Sequence, residues 1–596
     1  MYITKRLRVF LCSMMCAYGV WALERPLSAD GPVRNGKTLM NELAASGLRL
    51  SVNGIDYAIL AIYFVVVLGI GFAARRSVKT SLDFFLSGRS MAAWITGLAF
   101  IAANLGATEI LGMAATGAQY GVSVVHWYWI GAIPAMVFLG LVMMPFYYKS
   151  KVRSVPEFLQ QRFGASSHLL SAILFAFAQL LVSGVNLYAL ALVVQALLGW
   201  PLWVAIVVGG VFVLLYITIG GLSSAIYNEV LQFFVILAAL IPLSILGLKR
   251  VGGWNGLSHS LTKSHGSAFM HAWEGTGIGH PNALGANWFT IVMGLGFVLA
   301  FGYWTTNFAE VQRALSAKNL SAAQRTPLIA AFPKMFIVFL VMIPGLVAAV
   351  VIPKIGTPGS SIGYNDAIPA LMQQLLPNGV LGVAVTGLLA AFMAGMAANV
   401  SGFNTVFTTD IWAKYVKKDR PDEYYLKFGR WITAIGVIVS IATAFIASHA
   451  SNIMSYLQTL FSFFNVPMFV VFIVGLFWKR ASAAAGFWGL VAGTTAAMVN
   501  YFGLYKTGVI SIPSDQGANF VSAIAGFVAG AVVMVVVSLV TKPRKVEEIA
   551  GLVYGTKAPG VEEVVDAADR KWYRRPALLG WSAIVLAILL YLPFSF

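Results

Sequence analysis

Long apolar runs, separated by short polar loops, fill most of the chain. Most of the runs reach about 20 residues, the length that an α-helix needs to cross a bilayer. The pattern predicts about fourteen membrane-spanning helices, near residues 55–74, 91–118, 126–147, 167–198, 202–219, 225–249, 288–309, 328–352, 378–411, 429–450, 453–478, 482–505, 516–540 and 576–595. We therefore expect an all-α polytopic membrane protein.

Two of these runs are interrupted by polar residues. The stretch "FIAANLGATEILGM" places Asn104, Thr108 and Glu109 inside one run, and "FGYWTTNFAE" interrupts a later one. Each stretch opens a block of five predicted helices. Interrupted helices in matching positions of two halves are typical of a transporter whose binding site lies at the membrane midplane.

A polar packing interface between helices is the simpler explanation of these interruptions. It accounts for the small residues, since Gly, Ala, Ser and Thr also serve helix–helix contacts in membranes. It does not account for Glu109, because an unpaired carboxylate at this depth costs about 3 kcal/mol or more. The sequence therefore favours a binding site.

Composition supports the membrane assignment. The 596 residues are 59% hydrophobic and 10% charged, whereas soluble domains carry about 25% charged residues. The net charge of +18 comes from basic residues spread over short loops, so we expect a lipid bilayer and no nucleic acid as partner. Cys12 and Cys16 lie together in the N-terminal apolar run and suggest neither a disulfide framework nor a zinc site.

The distribution of lysine and arginine predicts the orientation. These residues concentrate in alternate loops, near residues 75–89, 149–162, 313–325, 414–420, 479–480 and 541–575. Because basic loops stay in the cytoplasm, both ends of the fourteen-helix unit are expected outside, in a multi-pass protein of the cell (inner or plasma) membrane. Before it, Lys5, Arg6 and Arg8 precede a short apolar run, which resembles a cleaved signal peptide or a retained signal anchor.

Several short stretches, taken in their order along the sequence, resemble the sodium/solute symporter family, and most of all its sodium/sugar (glucose/galactose) cotransporter branch. Any one of them alone is weak, but their joint occurrence in order over about residues 55–595 is highly specific. They are "IYFVVVLGIGF", "DFFLSGRSM", "VPEFLQQRFG", "YITIGGLSSAIYNEVLQ", "VQRALSAKN", "NTVFTTDIW", "LFWKRASAAAGFWGL", "GLVYGT" and "KWYRRP". The resemblance implies a five-plus-five inverted-repeat core with discontinuous first and sixth core helices, and solute import by alternating access down a sodium gradient.

The resemblance also implies an organisation along the chain. The expected segments are an N-terminal signal-like or extra helix with a polar linker (1–50), a leading helix with a cytoplasmic loop (51–90), a first inverted repeat (91–249), an extracellular loop (250–287), a second inverted repeat (288–478) and C-terminal helices (479–596) with a cytoplasmic loop at 541–575.

The family's sugar pocket can be carried over residue by residue. The matching positions are Asn104, Glu109, Tyr303, Trp304, Lys334 and Gln458. The resemblance makes Tyr303 and Trp304 an aromatic gate and its neighbour. The chemistry fits a sugar independently, because paired donors and acceptors beside an aromatic face suit a polyhydroxylated solute. A buried ammonium at Lys334 requires a partner, and Glu109 is the expected one.

Two pocket positions depart from the sugar branch. A Glu on the second core helix corresponds here to Tyr128, and a polar residue three positions before the gate tyrosine corresponds to Ala300. We interpret Glu109 as the replacement for the missing carboxylate, which it supplies from another wall of the pocket.

The expected cation site departs further from the pattern of the family than the solute pocket does. The resemblance places carbonyl ligands at Ala102, Leu105 and Ala391, but the two neighbouring serines of the family correspond to Ala394 and Gly395. Hard cations prefer oxygen ligands, so two side-chain ligands are missing. A second family site retains its acid, Glu229, while the accompanying hydroxyl residue is replaced by Ala397.

The function that the resemblance implies is secondary active import of a small polar solute, a sugar or sugar-like compound, with sodium as the coupling ion and no organic cofactor. Coupling to protons, uncoupled transport and a non-transporting solute sensor remain alternatives, since a buried carboxylate such as Glu229 can exchange a proton. No catalytic set, metal motif or phosphate loop predicts an enzyme. The oligomeric state stays open, with a monomer as the working expectation.

Overall fold

The computed structural model describes residues 50–75, 80–106, 108–278, 282, 284–352, 355–357, 360, 362–450, 452–556 and 571–595. The described chain is helical throughout and contains no β-strand. The predicted signal-like segment, Cys12, Cys16 and the middle of the 541–575 loop lie outside the described residues.

The long helices, in chain order, follow the predicted apolar runs. They are α1 (Gly54–Ala74), α2a (Ala93–Asn104) with α2b (Thr108–Val124), α3 (Trp127–Lys149), α4 (Ala165–Leu198), α5 (Leu202–Leu214), α6 (Leu222–Arg250), α7a (Thr290–Thr306) with α7b (Phe308–Leu315), α8 (Leu320–Val351), α9 (Val380–Val416), α10 (Asp422–Ala447), α11 (Ile453–Phe477), α12 (Ala483–Met498), α13 (Asp515–Val540) and α14 (Pro576–Phe594).

Length and composition qualify ten described helices as membrane spans, and up to twelve if each bent pair, α2a/α2b and α7a/α7b, is one span. The predicted count of about fourteen therefore stays a prediction. Short helices connect the spans, among them Val155–Phe163, Gly253–His265 and Ala367–Leu375.

Helices α5 and α6 belong to one helical run, Leu202–Arg250, yet they lie beside the same part of α1. The rings of Phe64 and Phe212 are 4.5 Å apart, and Gln232 donates a 3.1 Å hydrogen bond to the hydroxyl of Tyr63, the neighbour of Phe64. In a straight helix, Phe212 and Gln232 would be about 30 Å apart along the axis. The run is therefore not one straight helix, and α5 and α6 are named separately.

The two predicted interruptions are breaks in the structure. The axes of α2a and α2b differ by 58°, and those of α7a and α7b by 52°. At the second break, Asn307 leaves the helical backbone and its side chain accepts a hydrogen bond from the Ala309 amide, which caps α7b. Such an N-cap satisfies one of the amides that a new helix start exposes.

Burial places α9 at the centre and α14 at the rim. In the most apolar window of α9, 89% of the residues are buried inside the protein, against 17% in α14. Apolar side chains on α1, α13 and α14 remain exposed, as Val65, Val532 and Trp581 do. Since lipid tails are as apolar as these side chains, the outer helices face the bilayer, and the polar residues are enclosed around α9.

Candidate functional site

A cavity of about 70 Å³ lies where the two breaks meet. The wide helical turn at Thr108–Gly112, with its π-type hydrogen bonding, directs Glu109 into it. Turns of this kind interrupt helices mostly at functional sites. All six residues predicted for the solute pocket line this cavity: Asn104, Glu109, Tyr303, Trp304, Lys334 and Gln458.

Lys334 and Glu109 form a buried ion pair in the cavity wall. The ammonium of Lys334 lies 2.5 Å from the Glu109 carboxylate and 2.6 Å from the side-chain oxygen of Asn104, to which it donates. Both charged side chains are at most 5% exposed. The paired arrangement explains how the protein keeps two charges at this depth, because an isolated charge there would cost several kcal/mol.

Aromatic rings complete the surroundings of the ammonium. The Lys334 nitrogen lies 4.6 Å from the ring centre of Tyr128 and 5.5 Å from that of Trp304. Ring faces attract cations at these distances. The position where the sugar branch carries a Glu therefore offers a ring, while Glu109 supplies the carboxylate.

A hydrogen-bonded chain links this pair to the second break. Asn104 donates from its amide nitrogen to the Tyr303 hydroxyl at 3.0 Å, and that hydroxyl donates to a carboxylate oxygen of Glu310 at 2.9 Å. Glu310 is 2% exposed, and its other oxygen bonds to no residue within the described chain. Glu310 is not among the predicted site residues, although an acid inside an interrupted apolar run is a usable signal.

Two other predicted solute residues occupy different walls. Trp304 is buried and stacks on Phe100 with ring centres 5.6 Å apart. Gln458 is 4% exposed, and its side-chain oxygen has no hydrogen-bond partner among the described residues. A buried amide oxygen without a hydrogen bond is costly, so this oxygen is suited to accept a hydrogen bond from a hydroxyl group of a solute.

The predicted cation ligands fall into two places. Ala102 and Leu105 end α2a, and Ala391 lies one helical turn before Gly395 on α9, so these residues flank the first break. Glu229 lies elsewhere, on α6, and its carboxylate receives two hydrogen bonds from the buried guanidinium of Arg313, one of them at 3.2 Å. Glu229 thus neutralises Arg313 in this structure, and a part in cation binding stays a prediction.

Asn186 of α4 is a further residue of the cavity that the sequence argument missed. It is 2% exposed and lines the cavity between Gly106 at the first break and Gly395 on α9. An amide side chain within the largely apolar stretch "LLVSGVNLYALAL" was the signal that could have revealed it.

Broken helices around a polar cavity, enclosed by lipid-facing helices, define the class of membrane transporters with a midplane site. The chain belongs to the sodium:solute symporter family, whose family model matches residues 84–493. This confirms the family resemblance seen in the sequence, and it identifies a multi-pass membrane protein of a transporter family.

Individual relatives agree with the family. The chain is 31% identical to sodium/glucose cotransporter 1 of Oryctolagus cuniculus over 535 residues, which cover 82% of this chain and 80% of that protein. It is 27% identical to the sodium/glucose cotransporter of Vibrio parahaemolyticus, over 76% of this chain and 86% of the relative. It is 30% identical to sodium/myo-inositol cotransporter 2 of Homo sapiens, over 74% of this chain and 69% of the relative.

A solved structure supports the fold. A Na⁺-coupled sialic acid symporter, in a substrate-bound outward-open state, superposes with a TM-score of 0.70 at 20% identity and covers 83% of this chain and 99% of its own. The predicted fold class, a helical five-plus-five inverted repeat with two broken helices, is confirmed. The extents expected for the two repeats, residues 91–249 and 288–478, stay a prediction.

Proposed function

We propose that this protein imports a small polar solute, a sugar or sugar-like compound, by alternating access with sodium co-transport. The observation that carries the proposal is the ion pair of Glu109 and Lys334, which faces one cavity together with Asn104 at the meeting point of two broken helices. Charged groups inside a membrane are rare and mark substrate or ion pathways.

The donor and acceptor pattern suits a solute with several hydroxyl groups. Lys334 offers an ammonium, Glu109 a carboxylate and Gln458 an oxygen without a described partner, while Trp304 presents an aromatic ring to the same cavity. Specific sites combine a few placed polar groups with apolar and aromatic walls. Glucose, myo-inositol and sialic acid, named for the relatives, are all polyhydroxylated, and this supports the same class here.

The solute must compete with contacts that the pocket already makes. A hydroxyl that reaches Glu109 or Asn104 takes over an acceptor now used by Lys334. The Asn104–Tyr303 hydrogen bond then provides a route from solute binding to the aromatic residue expected to gate the pocket. Binding can shift the balance between two conformations only by such differential contacts.

Proton coupling is the second candidate, and Glu310 is the observation that favours it. This buried carboxyl receives one hydrogen bond from Tyr303, whereas its second oxygen has no partner in the described part of the chain. The guanidinium that follows it by one helical turn, Arg313, is engaged by Glu229. A buried acid without a dedicated cation is suited to carry a proton.

The test is solute uptake by the purified protein in proteoliposomes, under an inward sodium gradient, an inward proton gradient, or neither. Solutes are chosen beforehand by thermal stabilisation, since a ligand at a hundredfold excess over its Kd stabilises by about 2.7 kcal/mol. Uptake driven by the sodium gradient supports the proposal. Uptake driven only by protons supports the second candidate, and equal uptake under all conditions contradicts coupling.

A further inference from the structure

The gap between the first break and α9 is filled by one side chain from a third helix. A β-carbon added to Gly395 would lie 2.6 Å from the Asn186 side-chain oxygen, and one added to Gly106 would lie 2.5 Å from it. Real β-carbons essentially never approach other atoms so closely. Glycine at both positions is therefore what makes room for the oxygen of Asn186.

The orientation of this amide follows from its other end. The Asn186 nitrogen donates a 3.2 Å hydrogen bond to the Val182 carbonyl, one turn earlier on α4. A carbonyl can only accept, so the nitrogen is held toward α4 and the oxygen is the atom that points at the two glycines.

This oxygen lies where the family resemblance expects a cation. The carbonyl-bearing residues Ala102 and Leu105 end α2a beside Gly106, and Ala391 lies one turn before Gly395. The two hydroxyl ligands expected on α9 are missing at Ala394 and Gly395. An oxygen close to the place of a β-carbon at position 395 stands near the place that a serine hydroxyl would take.

We propose that Asn186 supplies, from α4, the sodium ligand that α9 has lost at Gly395. The inference rests on the sodium co-transport proposed above and specifies which residues of this chain hold the ion. A neutral side-chain amide oxygen is an ordinary ligand for hard cations. The ligand set then draws on α2a, α4 and α9, three helices in place of two.

A second amide lies on the same wall. Asn399 follows Gly395 by one helical turn on α9, lines the same cavity and is 7% exposed. Its side chain forms no hydrogen bond with the residues described here. Three carbonyls and two amide oxygens would reach five ligands, against the roughly six or more that hard cations gather in proteins. The replacement of hydroxyls by amides thus leaves the number of oxygen donors nearly intact.

The experiment measures thermal unfolding of the purified full-length protein during a titration with sodium chloride, with choline chloride holding the ionic strength constant. The wild-type protein is expected to be stabilised by sodium. Asn186→Ala should weaken the apparent sodium affinity about tenfold or more, as losses around metal sites commonly do. Asn186→Asp keeps an oxygen at the site and should retain the sodium response.

A pair of variants, Gly395→Ser alone and Gly395→Ser combined with Asn186→Ala, makes the test specific. Gly395→Ser alone introduces a β-carbon against the Asn186 oxygen and should impair both folding and the sodium response. Combined with Asn186→Ala, the same serine gains space and should restore sodium stabilisation. Asn404→Ala is the matched control, because Asn404 is an equally buried asparagine of α9 whose amide bonds to Thr433 and not to the cavity.

The outcomes separate this inference from the proposed function. If sodium stabilises the wild-type protein and Asn186→Ala equally, sodium coupling stands and the assignment of Asn186 is overturned. If sodium stabilises neither and uptake needs no sodium gradient, both proposals fall. The assignment is supported if Asn186→Ala loses sodium stabilisation, Asn186→Asp keeps it and the double variant Gly395→Ser/Asn186→Ala regains it, while the Asn404→Ala control responds to sodium like the wild-type protein.

Discussion

The ammonium of Lys334 lies 2.5 Å from the carboxylate of Glu109, although 225 positions separate the two residues in sequence. Lys334 is on α8 and Glu109 directly follows the break between α2a and α2b, so the pair joins helices that are far apart in the chain. Each charge makes the burial of the other tolerable.

Replacing Glu109 by Gln should both destabilise the protein and abolish solute uptake. The change leaves the Lys334 ammonium buried without its carboxylate, and breaking a buried pair from one side costs about 3–5 kcal/mol. Thermal unfolding and uptake are measured on the same preparation. The double variant Glu109→Gln/Lys334→Met should regain stability but not transport. Unchanged uptake and solute affinity in Glu109→Gln would contradict the role of the pair.

Tyr303→Phe removes the hydroxyl that joins Asn104 to Glu310 and keeps the ring. Two hydrogen bonds are lost and buried polar atoms stay behind, which costs about 1–3 kcal/mol. We expect solute to leave the pocket about tenfold faster, measured by dissociation of radiolabelled solute. Tyr57→Phe, at an exposed tyrosine of α1, serves as the control and should release solute at the wild-type rate.

Glu310→Gln distinguishes the two coupling ions. The amide preserves the size of the side chain and removes its ability to carry a proton. Under sodium co-transport, uptake driven by a sodium gradient should remain measurable and sodium-dependent. Under proton co-transport, the variant should lose uptake driven by the proton gradient while it still exchanges solute across the membrane without a gradient.

The ion pair of Glu229 and Arg313 can be tested by exchange of its charges. Glu229→Gln alone leaves a buried guanidinium unpaired and should lower the yield of folded protein. The swap Glu229→Arg/Arg313→Glu should recover folding and sodium-dependent uptake if Glu229 serves only to neutralise Arg313. Recovery of folding without recovery of sodium dependence would instead assign Glu229 to cation coupling.

The spans and the breaks were predictable because both rest on local chemistry. A run of about 20 apolar residues has the length that a helix needs to cross the bilayer. Asn104, Glu109 and Asn307 are polar residues that visibly interrupt such runs. The meeting of Glu109 with Lys334 was also foreseeable, since each buried charge demands a partner and the family resemblance placed both in one pocket.

Asn186 and Glu310 escaped the sequence argument for different reasons. The significance of Asn186 depends on the two glycines it approaches, and such a contact between α2, α4 and α9 leaves no mark on any one of them. Glu310 lies in an amphipathic segment that resembles an ordinary helix start, so its place in an interrupted apolar run was a weak sign of the burial that the packing of α7b shows. Glu229 and Arg313 show the same limit, because their pairing joins α6 to α7b.

The two buried ion pairs have an electrical consequence. A membrane potential acts on net charge that moves through its field, with about 2.3 kcal/mol for each elementary charge and 100 mV. Glu109 with Lys334, and Glu229 with Arg313, carry no net charge when they move as pairs. A current that accompanies a transport cycle therefore reports other charges that move, such as that of the solute, of a coupling ion or of a proton on Glu310, because these two pairs add nothing to it while they move as pairs.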